Sequence, residues 1–253
     1  EIWRPFVKGL QAYEMIADGD RIAVCISGGK DSMLLAKCMQ ELKRHSKTKF
    51  ELEFIVMDPG YNPANRRLIE ENAALMNIPV QIFESDIFDA VVDVDQSPCY
   101  LCARLPRGHH YDDVIETILM SMLYGGQVNT MMPKLHSTNF PGMELIRPLY
   151  FVKEGDILAW KDYNGLHFLQ CACRFTEQIA RDMEARGAAK DSADVVHTSK
   201  RQEIKELIKT LKETNPFVEA NIMKSVENVN LDACIGYVSG GRRHHFLDEY
   251  DKR

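Results

Sequence analysis

Arg21-Ile22-Ala23-Val24-Cys25-Ile26, then Ser27-Gly28-Gly29-Lys30-Asp31-Ser32, then Met33 through His45 form the stretch on which the reading of the chain turns. The first six residues are a compact, mostly apolar run of the kind that forms a buried parallel strand. From Met33 onward, Leu34, Leu35, Cys38, Met39 and Leu42 recur at helical spacing and predict an amphipathic helix. Between the two, Gly28 and Gly29 let the backbone turn tightly and approach a ligand closely. Unsatisfied N–H groups at the helix start, together with the helix dipole, make an anion site. The spacing Gly-x-x-x-x-Gly-Lys-Ser/Thr is absent, which excludes a Walker A loop. No third glycine completes a dinucleotide-binding fingerprint either. A strand, Ser-Gly-Gly-x-Asp-Ser and a helix, in that order, predict a nucleotide site rather than a chance turn.

Working outward, Glu1 to Asp20 predicts a leading helix with Phe6, Leu10, Tyr13 and Ile16 on one face. The leader starts abruptly, and further residues are expected upstream. Downstream, Phe50 to Met57 reads as a second strand ending at Asp58-Pro59-Gly60, Asn62 to Met76 as a helix, and Val80 to Glu84 as a third strand. Two strand–helix units in series predict a parallel sheet, with ligands beyond the carboxyl ends of its strands. Met57 and Asp58 should therefore lie beside the glycine loop. Val114 to Tyr124 reads as helical, with Ile115, Ile118, Leu119 and Met122 on one face and Gly125-Gly126 as its stop. Leu145 to Leu149 is expected to be a last strand, Lys153 to Tyr163 a helix, and Arg201–Leu211 and Asn221–Val229 terminal helices. Arg181 to Ser199 is polar and rich in small residues, and reads as a flexible linker.

The 253 residues suffice for one large or two small domains, and a 45% hydrophobic fraction is ordinary for a globular protein. No apolar run approaches the ~20 residues that span a bilayer, and no signal peptide is expected. Seven cysteines, several closely paired, point to metal or redox chemistry and a cytoplasmic setting rather than to secreted disulfides. A net charge of −6 argues against indiscriminate nucleic-acid binding but leaves room for a local basic surface.

Cys99-Tyr100-Leu101-Cys102 is a pair able to chelate a metal or cluster or to act as a redox dithiol, and Cys171-Ala172-Cys173 forms a second group far downstream. Cys25, Cys38 and Cys234 are expected in the core. Gly108-His109-His110-Tyr111-Asp112-Asp113 is a further motif. The carboxylates Asp31, Asp112 and Asp113 are the available hard ligands for Mg²⁺. Asp112 and Asp113 equally suit capping of a helix start.

The glycine loop resembles the pyrophosphate loop of ATP pyrophosphatases. Together with Cys99/Cys102, Gly108 to Asp113, Tyr124-Gly125-Gly126, Pro133-Lys134-Leu135 and Arg147-Pro148-Leu149, it resembles the tRNA 2-thiocytidine synthetase family, related to tRNA lysidine synthetase. The resemblance implies an α/β fold of the adenine nucleotide alpha hydrolase type: a parallel twisted sheet flanked by helices, with a helical C-terminal region. It divides the chain into a catalytic domain over residues 1–180, carrying the cysteine site, and a helical extension over residues 181–253. The second motif normally caps a further strand. Ala103 to Arg107 is too short for the helix and strand that would lead to it, so an omitted segment is expected there.

The resemblance further implies that ATP adenylates the C2 oxygen of an anticodon-loop cytosine and that sulfur displaces AMP. Lys30, Asp31 and Asp113 then carry the catalysis. Ser27, Gly28, Gly29, Lys30, Asp31, Ser32, Met57, Gly108, His109 and Asp112 hold the nucleotide. Mg²⁺ sits on Asp31 and Asp113, and a [4Fe-4S] cluster sits on Cys99, Cys102 and Cys171, leaving the role of Cys173 open. The implied partners are tRNA, a sulfur donor (a cysteine desulfurase or sulfide) and a second copy of the chain, with no membrane. Arg104, Arg107 and Lys134 are the favoured RNA contacts, ahead of Arg66/Arg67, Lys200/Arg201 and Arg242/Arg243. Two alternatives stand beside this reading. One is another adenylating enzyme of the same fold, such as a lysidine synthetase, which needs no cysteines. The other is a nucleotide-binding regulator with a structural zinc on the four paired cysteines.

Overall fold

The computed structural model describes residues 1–58, 61–84, 108–137, 141–169, 200–248 and 250. Contacts divide the chain into two units: Glu1–Val114 with Met132–His197, and Ile115–Met131 with Thr198–Arg253. The expected boundary between residues 180 and 181 lies outside the described residues.

In the first unit, α1 (Trp3–Ala12) leads into a parallel sheet of β1 (Arg21–Ile26), β2 (Glu51–Asp58) and β3 (Val80–Glu84) in that order. Val24 pairs with Phe54, and Phe54 with Val80. The helices α2 (Lys30–His45) and α3 (Pro63–Leu75) make the crossovers. On β1 and β2, Val24, Ile26, Phe54 and Val56 are buried, and α2, which packs against both strands, buries Met33, Leu34, Ala36 and Met39. Fully burying a side chain of this size contributes roughly 1.5–3 kcal/mol. Asn62 caps α3 by accepting the Asn65 N–H at 2.8 Å, with Pro63 at the first helical position. The strand and helix bounds agree closely with the sequence pattern.

Two expectations need correction. The leading helix ends at Ala12: Tyr13 is its C-cap, Glu14 takes φ 45°, and the Tyr13 ring stacks 5.6 Å from Phe151. Of its expected apolar face, Phe6 and Leu10 are buried. Leu145 to Leu149 is not a strand of the parallel sheet. Only Glu144–Ile146 (β5) is extended, and it pairs antiparallel with Lys134–His136 (β4) in a separate ribbon. Arg147-Pro148-Leu149 then turns, and Leu149, Tyr150 and Val152 are buried. The helix α5 (Glu154–Tyr163) follows.

The helix α4 (Tyr111–Gly125) contains the boundary between the units, and Val114, Ile115 and Ile118 along it are buried. In the second unit, α6 (Lys200–Thr214) and α7 (Val218–Glu227) occupy the span expected to be helical. After them comes a hairpin that the sequence reading did not foresee, β6 (Gly236–Ser239) and β7 (Arg242–His245). Its Gly240-Gly241 turn has φ 56° and 74°, the left-handed backbone that a two-residue hairpin loop demands. No helix among the described residues is long and apolar enough to cross a membrane.

Candidate active site

The end of β1 runs directly into the glycine loop. Gly28 has φ 81°, and a Cβ there would lie 2.6 Å from the Ile69 side chain, so this position needs glycine twice over. Gly29 takes extended backbone as the N-cap of α2, with its nearest prospective Cβ contacts at 3.7 Å. The protein itself leaves room there. Ser32 Oγ donates to the Gly29 carbonyl at 2.9 Å and accepts the Ser27 N–H at 3.2 Å, which fixes the loop's curl. From outside, Leu169 N donates to the Gly28 carbonyl at 3.2 Å. The first backbone N–H groups of α2 are thus presented as an anion cradle.

The second motif meets this loop. A Cβ on Gly108 would come within 2.9 Å of the Asp31 backbone, so only glycine permits the approach. His110 is buried at the start of α4, and its N–H donates to Asp113 Oδ2 at 3.0 Å, a carboxylate reaching back as in a capping box. The imidazole is ringed by carboxylates. Nδ1 lies 3.5 Å from Asp112 Oδ2, and Nε2 lies 3.5 Å from Asp113 Oδ2 and 4.0 Å from Asp31 Oδ1. Burial works to lower the His110 pKa, but pairing with Asp112 and the charges of Asp113 and Asp31 outweigh it and raise the value. For Asp112, burial works upward, yet His110 and the Glu154 N–H hold the carboxyl below its ordinary range. That N–H, at the start of α5, donates to Asp112 Oδ2 at 2.7 Å, and Tyr111 N donates to the Val152 carbonyl at 2.9 Å. The second motif is therefore tied to the loop on one side and to α5 on the other.

Lys30 lies at this junction. Its Nζ is 3.0 Å from Asp31 Oδ1 and 3.1 Å from Glu154 Oε1. Burial works to lower its pKa, and these two carboxylates reverse that and raise it. Glu154 was not foreseen as a site residue, because an acidic residue in a first helical turn ordinarily reads as a complement to the dipole. Asp31 Oδ1 is buried and, apart from the Lys30 ammonium 3.0 Å away, has no partner within hydrogen-bond distance. A hard oxygen in that state suits Mg²⁺, which takes one or two protein carboxylates and completes its shell with water and phosphate. No group of three metal-ligating side chains is present among the described residues.

The remaining expected residues fall in several places. Met57 is half-buried on β2, paired with Phe83, and the neighbouring Asp58 is buried, accepting the Tyr61 N–H at 2.6 Å. His109 immediately precedes His110 in the turn. Cys99, Cys102, Cys171, Cys173, Arg104 and Arg107 lie outside the described residues. Cys38 is buried, and burial followed by the Glu41 charge pushes its thiol up to about 12, while burial also raises Cys25, which is only half-buried. Cys234 is not core: it is partly exposed and donates to the Asn230 carbonyl. Among the candidate RNA contacts, Lys134 Nζ is 3.0 Å from Glu144 and donates to the Glu14 carbonyl. Arg66 is held by Asp58, Glu70 and Glu84, and Arg201 by the buried Glu116. Those two guanidiniums neutralise carboxylates of the protein itself.

A family model described as the PP-loop domain matches residues 101–183. The tRNA-cytidine(32) 2-sulfurtransferase of Geotalea uraniireducens is 31% identical over 243 residues, covering 88% of each chain. The protein of the same name from Bdellovibrio bacteriovorus is 31% identical, covering 90% of this chain and 88% of the relative. Among solved structures, the U34-tRNA thiolase NcsA from Methanococcus maripaludis, solved with its [4Fe-4S] cluster, superposes with a TM-score of 0.61 at 17% identity, covering 88% of this chain and 76% of that one. That likeness extends to the fold.

Proposed function

Since the chain belongs to the tRNA-cytidine(32) 2-sulfurtransferase family, we propose that it is a tRNA sulfurtransferase that consumes ATP to replace the C2 oxygen of an anticodon-loop cytosine with sulfur. The observation that carries the reading is the meeting of the glycine loop with the second motif, at a distance that only Gly108 allows. Two stretches far apart in sequence thereby surround one anion cradle with a lysine and several carboxylates.

A cytosine carbonyl is a poor electrophile. Attack of its oxygen on the α-phosphorus of ATP expels pyrophosphate and makes that oxygen part of a good leaving group. Sulfide then adds at C2, and AMP departs with the original oxygen, leaving 2-thiocytidine. The chain's own part in the first step is electrostatic: the Gly28–Ser32 backbone N–H groups and the Lys30 ammonium neutralise charge that builds on the departing pyrophosphate. Ser27 and Ser32 hold the loop's curl, and Met57 lies at the strand end where adenine is expected to rest. Asp31 and Asp113 would hold Mg²⁺, which when bound supplies further neutralisation of the phosphates. Cys99, Cys102 and Cys171 would hold a [4Fe-4S] cluster. Three thiolates leave one iron without a protein ligand, and that open position is what sulfur delivery requires. Arg104, Arg107 and Lys134 are proposed to meet the RNA, since anticodon-loop bases can be splayed out and read singly. The proposed setting is the cytoplasm, the partners a cysteine desulfurase or sulfide and a second copy of the chain, and the catalytic part residues 1–180.

Nucleoside analysis of tRNA from cells with and without this gene tests the reading. Loss of 2-thiocytidine in the deletion, restored by the wild-type chain and not by Lys30→Ala, is the expected result. An unchanged 2-thiocytidine content overturns it. Anaerobic metal analysis adds the cluster: Cys171→Ser should lose its iron and Cys173→Ser should keep it, whereas stoichiometric zinc without iron would sink that assignment.

A further inference from the structure

We propose that Glu154 is a positioning residue for Lys30, fixing the lysine ammonium relative to the second motif before the nucleotide arrives. The proposal rests on the adenylation reading above and adds a residue that neither the motifs nor the relatives' names single out. Lys30 has two carboxylate partners of unequal use. Asp31 is its neighbour in sequence at the same helix start, so it cannot by itself tie the ammonium to α5. Glu154 belongs to α5, and its backbone N–H is bound at 2.7 Å by Asp112 of the second motif. Its side chain then reaches Lys30 Nζ at 3.1 Å. Second motif, helix start and loop lysine are linked in one chain of contacts.

The bland alternative is that Glu154 only complements the α5 dipole. The capping there falls to another group, since Lys153 makes no side-chain cap and the Asp112 carboxylate takes the N–H. The Glu154 carboxylate is instead directed to Lys30, and both side chains are largely shielded, at 28% and 22% exposure. A lysine stem has several rotatable bonds, and fixing it costs rotamer freedom. Fixing it in advance spares that cost when charge develops on pyrophosphate. Glu154 also repels incoming phosphate. Its removal should loosen Lys30 and ease ground-state binding together, so the effects offset in KM and appear in kcat.

The test uses the full chain with tRNA and ATP. Glu154→Gln and Glu154→Ala both keep the backbone N–H that Asp112 binds, so the cap on α5 survives. Pyrophosphate-release kcat should fall about tenfold in each while KM for ATP stays within about twofold. Glu154→Asp should recover part of the loss. A second readout needs no activity. In ¹⁵N-lysine-labelled protein without nucleotide, the Lys30 ammonium signal, assigned by its absence in Lys30→Arg, should be visible in wild type and lost in Glu154→Gln. An unchanged kcat, a loss confined to KM, or a persistent ammonium signal overturns the proposal. Should the wild type release no pyrophosphate, the adenylation reading falls, and the ammonium signal still decides whether Glu154 holds Lys30.

Discussion

Glu154 donates its backbone N–H to Asp112 Oδ2 at 2.7 Å, across 42 residues of sequence, so a carboxylate of the second motif caps the start of α5. The same oxygen faces His110 Nδ1 at 3.5 Å. Asp112→Ala removes the cap and one charge beside His110 together. Loss of a capping side chain costs about 1–2 kcal/mol, and Asp112→Asn, which keeps an acceptor, should cost less. Urea midpoints at unchanged slope check this. Equal stability of Asp112→Ala and wild type would mean that the contact contributes nothing.

The imidazole makes stability depend on pH with a definite sign. His110 has its pKa raised above the ordinary 6.5, so its contribution is fully present below pH 6.5 and is lost as pH rises through the higher folded value. Asp112 has its pKa lowered from 3.8, so its contribution is present above that pH and is lost as pH falls through the lower folded value. The pair therefore contributes most between about 3.8 and 6.5. In protein free of nucleotide and metal, the stability gap between wild type and His110→Gln should narrow from pH 6 toward pH 9. A gap independent of pH would assign His110 a packing role only.

Two adjacent glycines should separate folding from binding. Gly28→Ala forces an alanine into φ 81° with its Cβ 2.6 Å from Ile69, and strain of that kind costs on the order of 1–3 kcal/mol. Gly29→Ala meets nothing closer than 3.7 Å, so its melting temperature should stay near wild type while ATP affinity, read by calorimetry, falls at least tenfold because the methyl occupies the cradle. If Gly29→Ala binds ATP normally, the cradle is elsewhere.

Much of this arrangement was legible in the residues. Apolar runs and helical spacing on either side of Ser27-Gly28-Gly29 located β1 and α2, and Gly108-His109-His110 announced a second element. What escaped notice did so for physical reasons. Leu145 to Leu149 is as apolar as a strand, yet Pro148 offers no N–H, and β5 stops at Ile146 before it. The β6–β7 hairpin is largely exposed and shows no apolar alternation, so Gly240-Gly241 was its one signal. Tyr13 leaves α1 because its ring finds Tyr150 and Phe151, a tertiary contact with no local trace. The ties from Lys30 and Asp112 to Glu154 join residues that only folding brings together. The cysteine pairs lie outside the described residues, and their reading stands on sequence.

The second unit supplies a test of how a buried carboxylate is kept. Glu116 is 4% exposed on α4, and the Arg201 guanidinium of α6 pairs with it while Lys205 Nζ stands 3.6 Å away. Arg201→Ala leaves the carboxylate with the more distant lysine alone. The lost charge-assisted bond and partial desolvation should cost about 2 kcal/mol, less than for a fully buried pair because Arg201 is 43% exposed. Replacing both partners, Glu116→Leu with Arg201→Leu, removes the uncompensated charge as well, so the double variant should be more stable than Arg201→Ala. Chemical denaturation of the two proteins decides the matter. If the double variant is the less stable, the pair contributes net attraction beyond relief of a buried charge, and Arg201 is best understood as a clamp on α4 and not as a contact for RNA.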